Sequence, residues 1–371
     1  MNFSAIHIEG NIISHEILDK IRTDERYPFQ AARDFGLAKG QAVREQVNDS
    51  WSGAVNMWQL FSQKLEKLPD DDPGTSVTRK FWAIPLLYEL GYDLDASRAE
   101  EINGHSFAIS HRDQQRDGFP VLIMGYHDSL DKKPAGGRLR MSPHALMQEY
   151  LNHTEHLYGI VTNGRHIRLL RDSNRLTKLA YVEFDVQKML EEDLFSEFAL
   201  MYRVLHSSRM PVNQAEIENA VFESYHQQSI DSGSRIRDEL RNAVKESMER
   251  MANGFLSDSR NHTFTSAVQS GDIDAGKMYK LLLRTMYRII FLATIEERGL
   301  VFESKNSSDP GYEEAMRLRE IYLKFYSFER LRNLALSPVY IDPRKHDLWQ
   351  SLITTFRLFE PLGEGERLGI N

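Results

Sequence analysis

The strongest constraint on how this chain can fold is a change of hydrophobic period near Val186. Between about residues 106 and 185 the apolar residues come in short runs bounded by polar loops. From Val186 onward they recur at three- and four-residue steps, as on one face of a helix. A chain with this switch is neither a plain helical bundle nor a plain sandwich, because each period must bury its own kind of face. The pattern predicts a mixed α+β fold: N-terminal helices, an α/β region with a mixed sheet, and then a helical region.

The local signals fill in that outline. Residues 38 to 66 read as one long helix, with Ala42, Val43, Val47, Trp51, Ala54, Val55, Trp58, Leu60 and Phe61 at helical spacing. A Pro, Gly and Asp-rich segment, 68 to 77, separates it from a second helix, KFWAIPLLYELG. Pro85 either kinks that helix or delays its start, and Gly91 is placed to close it. SFAIS (106 to 110) and FPVLIMGY (119 to 126) read as buried strands. In SPHALMQEYLNHTEH, Ser142 is the expected N-cap and Pro143 the first helical residue. LYGIVTNGRHIRLLRD reads as a hairpin turning at Asn163-Gly164, a pair suited to two positive φ angles. LAYVEFD (179 to 185) adds a third strand. The expected division is 1–70, 78–185 and 186–371.

The length, 371 residues, is enough for about two domains. The absence of cysteine excludes disulfides, a thiolate nucleophile and Cys-ligated metal centres. The N-terminus lacks the pattern of a secretory signal, and Leu281 to Ile295 is interrupted by Arg284 and Arg288. That segment is expected to be a buried helix, not a membrane span, and the expected location is the cytoplasm. The net charge of −8 argues against a wholly DNA-coating protein, since Lys and Arg supply phosphate affinity. The charge is uneven, however. Residues 132 to 178 hold nine Lys and Arg against three Asp and Glu, a net +6, which leaves −14 elsewhere.

That basic segment is the one positive functional signal. Arg165, Arg168 and Arg171 lie on or beside the hairpin, and Arg138 and Arg140 lie in the loop before the capped helix. Arginines converging on a hairpin and a loop suit DNA phosphate contacts, which position a duplex without reading it. The alternative is a solvated face paired with Glu191, Glu192 and Asp193.

The catalytic candidates are weaker. The order of elements over 80 to 171 suggests the nuclease fold in which one strand carries an acid and the next a Glu-x-Lys to hold a divalent cation and orient water. Neither SFAIS nor FPVLIMGY supplies those residues. Asp128 and Asp131 with Lys132 or Lys133 would be a displaced site, but a charged loop after a buried strand is usually only solvated. His153 and His156 lack the His-Glu-x-x-His spacing of zinc helices and show no third ligand nearby, so helix-end surface histidines are expected. The Gly-rich end, Gly363 to Gly369, reads as a tail, and Asp309-Pro310-Gly311-Tyr312 as a turn. Lys280, Arg284, Arg288 and Glu296 form one charged stripe on an apolar helix, either a wet edge or a partner contact.

The ordered strings REQVNDSWSGAVNMWQLF, FWAIPLLYELGYDL, SPHALMQEYLN, LYGIVTNGRHIRLLRDS and AYVEFDVQKML resemble the N-terminal region of large adenine-specific DNA methyltransferases. These belong to restriction-modification and phage-defence systems, type IIG-like and DISARM-type. The resemblance runs over most of the chain and implies a degenerate restriction-nuclease-like domain preceding a methyltransferase core. It implies a non-catalytic module that contacts double-stranded DNA, or docks a methyltransferase core or helicase partner, with no cofactor or metal and no membrane. A metal-dependent nuclease with a rearranged site and a protein-interaction scaffold are the alternatives.

Overall fold

The computed structural model describes residues 3–24, 26–69, 71–134, 139–172, 180–303, 305, 308–337, 339, 342, 345–361 and 363–370. The chain forms two compact units, Met1–Ile236 and Arg237–Asn371. The expected segments 1–70 and 78–185, and the start of the third, all lie within the first unit.

The first unit is built on a seven-stranded mixed sheet of order β1-β9-β8-β7-β6-β5-β2. Its strands are β1 (Ile6–Glu9), β2 (Leu94–Ala96), β5 (His111–Asp113), β6 (Phe119–Ile123), β7 (Tyr158–Thr162), β8 (His166–Arg171) and β9 (Tyr181–Asp185). A small separate hairpin pairs β3 (Glu100–Ile102) with β4 (His105–Phe107). Only β6 and β7 run parallel, and the helix α5 (Pro143–His153) joins them. All other neighbours are antiparallel.

Side chains alternate across these strands, so each of the central strands β6 to β9 serves two cores. Val121, Ile123, Ile160, Ile167, Leu169, Val182 and Phe184 face one core. There they meet α1 (His15–Thr23), α2 (Val43–Leu65), α4 (Ile84–Glu89), α6 (Val186–Glu191) and α7 (Phe195–Leu205). Leu122, Val161, Leu170 and Tyr181 face the other core, where α5 contributes Leu146, Met147, Tyr150 and Leu151 and the hairpin contributes Phe107. Burial on both faces is why β6 and β7 read as continuous apolar runs. Every residue of both strands is buried.

The helix signals translate as follows. α2 begins at Val43 and buries Val43, Val47, Ala54, Trp58 and Phe61, while Leu60 faces outward. The second helix is broken into α3 (Thr75–Thr78), a π-turn (Arg79–Ala83) and α4. Pro85 has no N–H to return one turn back, and the widened turn before it takes up that mismatch. Gly91 closes α4 with φ +83°, and Tyr92 N–H donates back to the Leu87 carbonyl at 3.0 Å. Ser142 caps α5, its Oγ accepting from Ala145 N–H at 3.2 Å, and Pro143 opens the helix.

Two strand expectations change. SFAIS is not one core strand: its first residues belong to β4, and the sheet is entered only at His111. The hairpin between β7 and β8 is not a two-residue turn either. Thr162 pairs with Ile167, leaving a four-residue loop in which only Gly164 takes a positive φ, +85°. Asn163 Oδ1 accepts from the Arg165 and His166 N–H groups at 3.1 and 3.0 Å, making its own side-chain turn. The tip is buried beneath the π-turn, where Trp82 Nε1 donates to the Gly164 carbonyl at 2.7 Å.

The second unit is helical. α8 (Val221–Ser257) enters it, followed by α9 (His262–Gln269), α10 (Ala275–Glu297), α11 (Tyr312–Phe325), α12 (Phe328–Ala335) and α13 (Asp347–Leu358). Its two small cores centre on Met248, Leu282 and Met286, and on Val301, Tyr322 and Ile370. α10 was expected to be buried, and it is one-sided instead. Leu282, Met286 and Leu292 point inward, while Tyr287 and Phe291 are 64% and 66% exposed. No described helix is long and apolar enough to cross a membrane.

Candidate functional site

Of the five arginines, the four among the described residues do not converge. Arg138 lies outside the described residues. Arg168 and Arg171 are three apart on β8, and on a strand an odd spacing sends two side chains to opposite faces. Arg168 lies on the α5 side, buried, with a two-pronged ion pair to Asp131 at 2.6 and 2.8 Å and a further bond to Glu183 across the sheet. Its charge holds the Asp131 carboxyl below the usual range, chiefly through those hydrogen bonds. Arg171 lies on the other side and pairs with Glu223 of α8 at 2.8 and 3.1 Å. Burial alone would raise the Glu223 pKa, but hydrogen bonds from Arg171 and Tyr158 outweigh it and the net shift is downward.

Both guanidinium groups are thus neutralised internally by Asp131, Glu183 and Glu223, not by the acidic residues 191 to 193. Arg165 and Arg140 are held differently, and Arg140 is exposed. Arg165 stacks over the Tyr126 ring at 4.2 Å. Arg140, exposed, donates to His105 Nδ1 at 3.2 Å and lies 3.6 Å from Glu149.

The displaced nuclease site does not assemble. Asp128 Oδ2 accepts from Gly125 N–H at 3.0 Å and its carbonyl accepts from Asn163, so it closes a turn. Asp131 is committed to Arg168, while Lys132 and Lys133 are exposed. On the paired strands themselves, His111 stands opposite Val121. The Ser110 hydroxyl next to it donates to the Val121 carbonyl at 3.2 Å and accepts from Ile123 N–H at 2.8 Å. The His111 imidazole is held neutral, its pKa pushed down to about 4 by burial and by the Arg79 charge. Asp113 at the end of β5 is buried, and burial raises its pKa.

His153 and His156 part company. His156 stacks on Tyr150 and accepts from Gln214 at 2.6 Å, and burial lowers its pKa to about 4. His153, one helical turn beyond Glu149, stacks on His105 of β4 with ring centroids 5.0 Å apart. His105, Glu149 and His153 each present one ligand atom, all within 4.8 Å of one another. His156 is no part of this cluster, whose member from outside α5, His105, comes from β4, far away in sequence. The signal available in the sequence was Glu149 and His153 at i, i+4, which share a helix face.

The C-terminal segments behave as structure. Glu296 leaves the charged stripe and caps α12, accepting from Phe328 and Glu329 N–H at 2.7 and 3.0 Å. Gly311 precedes α11 in a left-handed conformation, so Asp309-Pro310-Gly311 is a turn. Lys280, Arg284 and Arg288 line the outer face of α10 with Tyr287 and Phe291.

Comparison of the chain with protein-family models, with curated proteins and with solved structures gives no match.

Proposed function

We propose that this chain is a non-catalytic module of an adenine-specific DNA methyltransferase system of the restriction-modification or phage-defence type, built on a degenerate nuclease-like α/β domain. The observation that carries this is the β2-β5-β6-β7 part of the sheet, with α5 linking β6 to a parallel β7. It is the setting in which an acid and a Glu-x-Lys would face one another on β5 and β6. β5 carries one buried acid, Asp113, opposite Phe119, but β6 is Phe119, Pro120, Val121, Leu122 and Ile123 and supplies no Glu-x-Lys. With a single carboxylate the strand pair cannot hold a magnesium ion between two.

Its role is to dock the methyltransferase core through the outer face of α10. Tyr287 and Phe291 offer the exposed aromatic anchors typical of protein interfaces, and Lys280, Arg284 and Arg288 flank them. The complementary surface on the partner is apolar with an acidic rim. The test is calorimetric titration of the chain with a methyltransferase core encoded beside it. Micromolar or tighter binding is expected, weakened at least about tenfold by the double change Tyr287→Ser and Phe291→Ser. Binding that ignores this double change removes α10 as the docking face.

A DNA-contacting role is the second reading, supported by Arg140 and Arg165, which are not consumed by buried ion pairs. With two such arginines among the described residues, and Lys132 and Lys133 exposed, the affinity for duplex should be modest. Each phosphate neutralised adds about −0.9 to the slope of log K against log salt. Binding that is absent, or indifferent to salt, ends this reading.

A further inference from the structure

Away from the positions discussed for nuclease chemistry, one cluster of side chains has the composition and spacing of a metal centre. His105 comes from β4, and Glu149 and His153 come from one face of α5. All three are half-buried and their ligand atoms fall within 4.8 Å of one another. His105 Nδ1 and Glu149 Oε1 are already 3.3 Å apart. That is about the edge length, ~3.3 Å, of a tetrahedron whose metal–ligand bonds are about 2.0–2.1 Å. His153 offers its ligand atom within 4.8 Å of the other two.

Two further observations favour a cation at this place. Glu149 Oε2 is buried and accepts no hydrogen bond, so the carboxylate keeps lone pairs for a further partner. The Arg140 guanidinium stands where the cation would, 3.2 Å from His105 Nδ1 and 3.6 Å from Glu149 Oε1. The pocket between these two ligands therefore already attracts positive charge.

We propose that His105, Glu149 and His153 bind one transition-metal dication of the zinc type. Two imidazole nitrogens and one carboxylate oxygen suit zinc, cobalt or nickel, whereas magnesium and calcium prefer an all-oxygen set. Three protein ligands leave the fourth tetrahedral position to water, the arrangement of an open site and not of a closed structural one. The metal displaces Arg140 from His105, because the one lone pair on Nδ1 cannot accept from a guanidinium and ligate a metal at once. Loading the site thus releases Arg140 to solvent. The proposal is independent of the methyltransferase-associated role, and the test below reads metal binding alone.

The full chain, prepared without a polyhistidine tag and stripped with chelator, is titrated with zinc by calorimetry and with cobalt by visible absorption. One equivalent is expected, with the intense visible bands of tetrahedral cobalt. His105→Ala, Glu149→Gln and His153→Ala should each weaken binding about 100-fold or more, beyond what loss of an outer-shell partner does. Arg140→Gln should tighten it several-fold, and His7→Ala, on exposed β1, should change nothing. Should a ligand variant fail to fold, as judged by circular dichroism of the metal-free protein, the cobalt spectrum of the unaltered chain decides. A weak octahedral spectrum like that of aqueous cobalt, or stoichiometric binding that survives loss of two of the three ligands, overturns the proposal.

Discussion

The two compact units are made from similar amino acids yet are stabilised very differently. In the first, both faces of a seven-stranded sheet are covered, and Trp82, Tyr92, Tyr150, Tyr158, Phe184 and Phe198 are completely enclosed. In the second, the buried apolar side chains among the described residues are Met248, Leu282, Met286, Leu292, Val301, Tyr322, Leu331, Phe356 and Ile370, and of these Tyr322 alone is completely enclosed. An open apolar groove of about 810 Å³ runs along α8 and α10 there, lined by Leu240, Val244, Met248, Leu282, Met286 and Ile290. A sheet covered by helices has two interiors to fill, while a layer of helices without a cover leaves each helix half-wet. The lesson is that helical period in a sequence reports an apolar face, not what covers it. The second unit is the part of the molecule expected to gain most from a partner.

The largest difference between the units should appear in acid. His111, His144, His156 and His206, all in the first unit, are held neutral with pKa values of about 4 against an ordinary 6.5, through burial first and neighbouring arginines second. A depressed histidine pKa means that the unfolded chain binds more protons between the two values. The stabilisation is therefore complete above pH 6.5 and is lost as pH falls toward 4. The four together amount to several kcal/mol, so near-UV circular dichroism should show the first unit melting across that window. A first unit whose stability is flat from pH 7 to pH 4 would break the comparison.

A smaller effect is expected from Trp82→Ala. The indole packs against Trp58 and Phe61 and donates to the Gly164 carbonyl, tying the π-turn to the β7–β8 loop. Its loss should cost about 3–5 kcal/mol by urea denaturation. Smaller again is Leu282→Ala in the second unit, about 2 kcal/mol, because the site already borders an open groove and leaves less cavity behind. If the two substitutions cost the same, the second core is as well packed as the first and the contrast is wrong.

Legibility in the sequence followed the strength of local physics. α5 was visible because its cap and first residue, Ser142 and Pro143, satisfy backbone requirements that no tertiary contact alters. β6 and β7 are visible because double-sided burial demands unbroken apolar runs, and β9 because Tyr181, Val182 and Phe184 are buried around Glu183. β2, β3 and β5 were not, since LDA, EEI and HRD carry no apolar pattern; they are three-residue strands, two of them at sheet edges. β1 was missed although IHIE alternates, because a four-residue strand has meaning only once β9 is there to pair with it. Arg168 and Arg171 were grouped by a spacing that suits a helix, and the strand's period of two separated them.

What the sequence by itself determined is the class of elements and their order: helices, then a mixed sheet crossed by one capped helix, then helices. Periodicity, caps and turn residues are short-range physics, readable along the chain. Only the tertiary structure decided which charges are spent and which are available. It gave Arg168 to Asp131 and Glu183, gave Arg171 to Glu223, and brought His105 of β4 to Glu149 and His153 of α5. An ion pair or a ligand set is made by groups distant along the chain. It exists only after the folded backbone has covered the cost of bringing them together.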